Sequence, residues 1–188
     1  MFENSRQMLE EFNKTEAKFS FPFAMGVFGT LRKSGGNTRL MGKYTSHHKA
    51  FMPHFSASGL TISFAPGMAA VFEIFTYTPE NWKRMISSVD RLEGFIPNDE
   101  QRGWYWYWRT LVYLHLLPDD FKSPFYESGF CYSEERVLPI PQEEWKTYPR
   151  VPCWVYSSFV ENYACAQQKL EDSPLIWVGQ GGIDRTLT

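Results

Sequence analysis

Glu93 is the residue of this sequence best placed to do acid–base chemistry. Trp82, Met85, Ile86 and Val89 recur at the i, i+3, i+4, i+7 spacing of one helix face, and Glu93 extends that series four residues past Val89. The pattern turns a carboxylate toward the apolar interior. Desolvation disfavours its ionised form there, and the negative end of the helix dipole acts in the same sense. Both raise the pKa toward the range in which a general base works at neutral pH. The competing reading is a side chain that swings past the last helical turn to water, or to Arg91 or Arg109. A second candidate is Gly29-Thr30-Leu31, directly after an apolar run that ends in Phe28. A strand ending in such a turn can offer successive backbone N–H groups to a carboxylate or an oxyanion. An ordinary strand-to-loop turn uses the same residues.

Other chemistries find less in this sequence. His47, His48, His54 and His115 lack metal-ligand spacing and fall on strand or loop segments. Cys131, Cys153 and Cys165 are odd in number and have no CxxC spacing, so neither a disulfide framework nor a zinc site is expected. Cys153, between Pro152 and Trp154, reads as a packed thiol with no basic neighbour to activate it. There is no Gly-x-Ser-x-Gly elbow, and Ser56-Ala57-Ser58-Gly59 is a poor substitute. Gly179-Gln180-Gly181-Gly182 opens no helix and so does not read as a phosphate loop.

The elements that must position Glu93 and the glycine turn follow from local signals. Thr78-Pro79-Glu80 supplies an N-cap, a proline at the first helical position and a first-turn acid, while Gly94 supplies the stop, so a helix is predicted between them. Strands are predicted over 21–28, 49–53, 59–64, 69–77, 105–116 and 151–159, and helices over 5–18 and 160–170. The segment 121–149, rich in Pro and Glu, reads as an insertion with little regular structure. Strands before and after one good helix, without βαβ alternation, indicate an α+β or closed-sheet fold.

The 188 residues suit one domain. We expect an accessory helix within 1–20, a main domain over 21–172 with an insertion at about 118–150, and a tail over 173–188. Aromatic residues make up 18% and charged residues 21%, which gives ample apolar surface for a core. The formal net charge is −2, with no long block of one sign, so no nucleic-acid footprint is visible, although Trp104 to Arg109 interleaves aromatic and basic residues. No apolar run approaches the ~20 residues of a membrane helix, and early charges break any signal-peptide core. A soluble, cytoplasmic protein without membrane or nucleic-acid partners is expected.

Taken in order, several of these segments resemble the γ-glutamyl cyclotransferase-like superfamily. They are Phe28-Gly29-Thr30-Leu31-Arg32, Gly36-Asn37, Ala69-Ala70-Val71-Phe72-Glu73-Ile74, Val89-Asp90-Arg91-Leu92-Glu93-Gly94 and Tyr107-Trp108-Arg109. That family carries Tyr-Gly-Thr/Ser-Leu, a Gly-x-x-Tyr-x-Val strand, a helix ending in Leu-Asp-x-x-Glu-Gly, and Tyr-x-Arg at the next strand. Trp154-Val155-Tyr156 is similar to its last barrel strand. Here Phe28 stands for the usual Tyr, Ala69 for Gly and Phe72 for Tyr, and the 121–149 stretch has no counterpart.

The resemblance implies a small, closed or nearly closed mixed β-barrel of about six strands with helices packed outside. It implies release of 5-oxoproline from a γ-glutamyl amine or amino acid, with no metal or organic cofactor. Glu93 would be the acid/base catalyst. The substrate would lie against Phe28, Gly29, Thr30 and Leu31, with Tyr107 and Tyr156 as walls and hydroxyl donors. The alternative is a non-catalytic ligand-binding or protein-interaction module on the same fold. The interaction version would expose the aromatic run from Trp104 to Trp108.

Overall fold

The computed structural model describes residues 23–94, 108–127, 134–157 and 175–178, giving only the backbone course for 108–111, 157 and 175–178. The expected helices over 5–18 and 160–170, and residues 105–107 of the strand expected over 105–116, lie outside the described residues. Seven strands make one mixed sheet: β1 (Ala24–Val27), β2 (Ser46–Ser58), β3 (Thr61–Thr76), β4 (Trp108–Leu116), β5 (Glu135–Arg136), β6 (Arg150–Ser157) and β7 (Leu175–Val178). Their order is β5-β2-β3-β1-β6-β4-β7, and a further pairing of β2 with β4 closes β2, β3, β1, β6 and β4 into a ring. The closed mixed barrel expected above is therefore what the chain forms, with β5 and β7 as additions to a five-strand ring. Among the described residues, only β1 with β6 is parallel; β1 runs antiparallel to β3, and β4 to β6.

Alternation along the strands sorts side chains to the two faces of this ring. Ala24, Phe28, Ala50, Met52, Phe72, Ile74, Val112, Leu114, Val151, Cys153 and Val155 form one buried cluster drawn from all five ring strands and the residue after β1, which is the barrel interior. The intervening residues face outward and are covered twice. On one side helix α1 (Pro79–Glu93) lays Trp82, Met85, Ile86 and Val89 on Met25, Val27, Phe75, Trp154 and Tyr156. Each such burial stabilises the fold by roughly 1.5–3 kcal/mol. On another side Leu138, Ile140 and Trp145 cover Phe51, Ala69 and Val71.

Helix α1 starts and stops where the sequence says it should. The Thr78 hydroxyl accepts from the Asn81 N–H, and Gly94 takes the left-handed conformation at φ 66, its N–H reaching back to the carbonyls of Asp90 and Arg91.

Two expectations need correction. The segments 59–64 and 69–77 are one continuous strand, β3, in a long hairpin with β2. The register shifts between Pro53 and Phe55, whose partners are Ala69 and Phe64, so β3 carries a bulge there without ending. His54 there adopts φ 64, and its Nδ1 accepts the Gly67 N–H at 3.3 Å. The second concerns the tail: Leu175–Val178 is strand β7, antiparallel to Thr110–Val112 of β4. The 121–149 stretch does carry short elements, namely α2 (Pro124–Glu127), β5 and a 3₁₀ turn over Gln142–Thr147, and it supplies the second outer layer. Among the described residues, no helix is long and apolar enough to cross a membrane.

Candidate functional site

A cavity of about 190 Å³ opens where the end of β1 meets the end of α1. Gly26, Val27, Phe28, Gly29, Thr30, Leu31, Asn37, Leu60, Leu92, Glu93 and Tyr156 line it. The structure thus brings the acidic residue at the helix terminus and the Gly29-Thr30-Leu31 turn to the same space, though they are more than sixty residues apart in the chain. Phe28 contributes a wall, its ring 5.4 Å from that of Phe72. Tyr107 lies outside the described residues, as does the run from Trp104, and the Trp108 and Arg109 side chains are likewise not described.

Glu93 is partly buried, and burial pushes its carboxyl up to about 7. Among the described residues it has neither a hydrogen-bond partner nor an ion-pair partner, so nothing offsets the loss of hydration. The alternative pairing with Arg91 does not form. A carboxylate in this condition holds and releases a proton near neutral pH, the property a general acid/base requires.

The glycine turn is fixed by a network of hydrogen bonds around it. Arg32 N–H donates to the Gly29 carbonyl at 3.1 Å and Gly35 N–H to the Arg32 carbonyl at 2.7 Å. Asn37 holds Thr30 twice, through its N–H to the Thr30 carbonyl at 2.9 Å and through Nδ2 to Oγ1 at 3.0 Å. Among the described residues, the N–H groups of Gly29, Thr30 and Leu31 take part in no hydrogen bond, so they remain available to an anion.

Beneath this turn lies an ion-pair network that sequence reasoning missed. Glu73 on β3 is 2% exposed and Arg32 1%, with Arg32 Nε 3.1 Å from Glu73 Oε1. The Lys33 N–H donates to Oε2 at 2.7 Å, and His47 Nε2 lies 3.0 Å from the same oxygen. Arg32 also donates to the Phe125 carbonyl of α2. Burial alone would raise the Glu73 pKa, but the hydrogen bond from His47, the Arg32 charge and the Lys33 amide together hold it below the usual carboxylate range. The carboxylate is therefore a fixed anchor for the residues that immediately follow the turn. The available signal was a single acid inside the apolar run Ala69–Phe75, since such residues are rarely buried without a partner.

Tyr156 is a wall of the cavity, as expected, but its role as a hydroxyl donor needs correction. The hydroxyl donates to Asp90 Oδ1 on α1, so its one proton is committed to the helix. Asp90 is itself buried, and this bond ties the last turn of α1, which carries Glu93, to β6. Asn37, Leu60 and Leu92 are further lining residues not anticipated from sequence; they sit in loops or on the exposed side of the helix, where periodicity carries no signal. Cys153 is fully buried and its thiol pKa is raised by that burial, in keeping with packing and not nucleophilic chemistry. Among the described residues, no cluster of three or more His, Cys, Asp or Glu side chains is disposed to hold a metal.

Compared with known proteins, the chain matches no family model, and the curated proteins yield no match.

Proposed function

We propose that this chain is a γ-glutamyl cyclotransferase-type enzyme that releases 5-oxoproline from a small γ-glutamyl substrate. The observation that carries this reading is the convergence of one desolvated carboxyl, Glu93, and one loop of available amides, Gly29 to Leu31, on a single cavity sized for an amino-acid-like group. In the reaction the substrate α-amine attacks its own γ-carbonyl carbon. A new C–N bond closes the five-membered ring, and the original amide C–N bond breaks. Because nucleophile and electrophile share one molecule, proximity is supplied by the substrate, and the protein must manage protons and charge. Glu93 takes the proton lost by the attacking amine and delivers it to the departing nitrogen. The amides of Gly29, Thr30 and Leu31 hold the substrate carboxylate or the developing oxyanion. In this reading the enzyme is cytoplasmic and uses neither a metal nor an organic cofactor.

The second reading, a binding module without turnover, draws support from Phe28, which cannot make the hydrogen bond of a tyrosine. One experiment separates the two. The protein is incubated with a panel of γ-glutamyl amines and γ-glutamyl amino acids, with 5-oxoproline followed by mass. Turnover that falls by two to four orders of magnitude in Glu93→Gln is the expected result. Full activity in that variant would remove Glu93 from the mechanism, and ligand binding without product would favour the module.

A further inference from the structure

A second cavity, of about 300 Å³, lies on the outer face of the barrel between its two covers. Along β3, Phe75 belongs to the layer under α1 and Val71 to the layer under Trp145, and Glu73 stands between them on the same face. Strand β2 pairs Lys49 with Glu73 and His47 with Phe75, so alternation brings both basic side chains to that face. Lys33 and Ser34, from the loop after the amide turn, and Asp119 and Tyr126, from the segment after β4, complete the lining. Donors and acceptors in this lining are unevenly used. The charge of Glu73 is cancelled by Arg32, and its two oxygens already accept from Arg32, the Lys33 amide and His47, which leaves little for a cationic ligand. Lys49, although directly opposite Glu73, sends its ammonium to the carbonyls of Asp119 at 3.0 Å and Phe121 at 2.6 Å. Neutral carbonyls use two of its three donors and leave its charge uncompensated. The Tyr126 hydroxyl is committed to the Ala50 carbonyl at 2.6 Å. Among the described residues, the Lys33 ammonium has no ion-pair partner and the Ser34 hydroxyl no hydrogen bond. Against these two cations the lining sets one further acid, Asp119, at an exposed position.

We infer that this cavity binds a small oxyanion, a phosphate or a carboxylate group, held by the ammonium groups of Lys33 and Lys49 with the Ser34 hydroxyl as a further donor. Two carbonyls fix the Lys49 ammonium before any ligand arrives, so little ordering of that side chain remains to oppose binding. Hydrogen bonds from an ammonium to an anionic oxygen are of the strong, charge-assisted kind. No residue lines both this cavity and the one at Glu93, so an oxyanion binds here whether or not Glu93 is a catalyst.

The test is a proton–nitrogen NMR titration of the full chain with sodium phosphate and, separately, sodium acetate, each against sodium chloride at the same ionic strength. The backbone amide signals of Lys33, Ser34 and Lys49 should move and saturate with phosphate or acetate and stay in place with chloride. The tighter of the two names the group the site takes. Lys33→Gln, at an exposed position, should weaken that affinity about threefold. Lys49→Gln, which can still donate to one of the two carbonyls, should weaken it about tenfold. Asp119→Asn keeps the carbonyl that holds Lys49 and removes the opposing charge, so it should tighten binding about threefold. Shifts confined to Gly29, Thr30 and Leu31 would put the anion in the first cavity and overturn the assignment. No saturable shift with either salt would overturn it too, as would an affinity unmoved by both lysine variants.

Discussion

Replacing Glu93 by glutamine should make the protein more stable at neutral and alkaline pH while removing its activity. The carboxyl has a pKa of about 7 in the folded chain against 4.5 when unperturbed. At about 1.4 kcal/mol for each tenfold change in proton affinity, that gap corresponds to about 3.4 kcal/mol. Glu93 keeps part of its surface in water, so about 2 kcal/mol is the working figure. The sign follows from a folded-state pKa that is raised. Proton uptake by the folded chain favours folding in acid, and this contribution is lost as pH rises from about 4.5 through about 7. Glutamine is neutral throughout and is spared the loss. Urea unfolding followed by tryptophan fluorescence should therefore show the two proteins nearly equal at pH 4 and Glu93→Gln ahead by about 2 kcal/mol at pH 8, with unchanged slopes. In the unaltered enzyme, kcat/KM should fall as pH drops through about 7, where the base becomes protonated. A stability difference that is the same at both pH values, or a variant weaker at pH 8, would refute the claim that this carboxylate is desolvated.

Two substitutions test the support of the amide turn. A Cβ at Gly35 would stand 2.1 Å from the Thr30 carbonyl oxygen, a backbone atom that cannot swing aside. Gly35→Ala should therefore displace the turn and raise KM at least about tenfold with a smaller effect on kcat, as measured by steady-state kinetics. Glu73→Gln leaves the Arg32 guanidinium buried without its counter-charge and should cost about 3 kcal/mol of stability at neutral pH. Because the Glu73 pKa is depressed, its contribution is present above the unfolded value and fades as pH falls through the lower folded one. The gap between the two proteins in denaturant titrations should accordingly shrink in acid.

Local signals determined a good deal of this molecule. Helix α1 was legible to the residue because its cap, its proline, its apolar stripe and its terminal glycine all act within a few residues of one another. The same short-range periodicity placed Glu93 on the inward face, and the strand-then-glycine pattern placed the amide turn. Strand β3 was misread as two because its pairing with β2 is interrupted over residues 65–68, between Phe64 and Ala69, although the strand itself runs on through them. Strand β7 was missed because four residues carry too little pattern until β4 lies beside them. What only the tertiary structure decided is adjacency. Ring closure between β2 and β4, and the docking of α1 across β1, β3 and β6, set one carboxyl against one amide turn and bring Leu60 and Leu92 to the same mouth. Glu73 and Arg32 meet through the pairing of β1 with β3, which sets Val27 opposite Glu73, across 41 positions of chain. Side-chain periodicity reports which way a residue points within its own element, and which residue it faces depends on contacts that no short window of sequence contains.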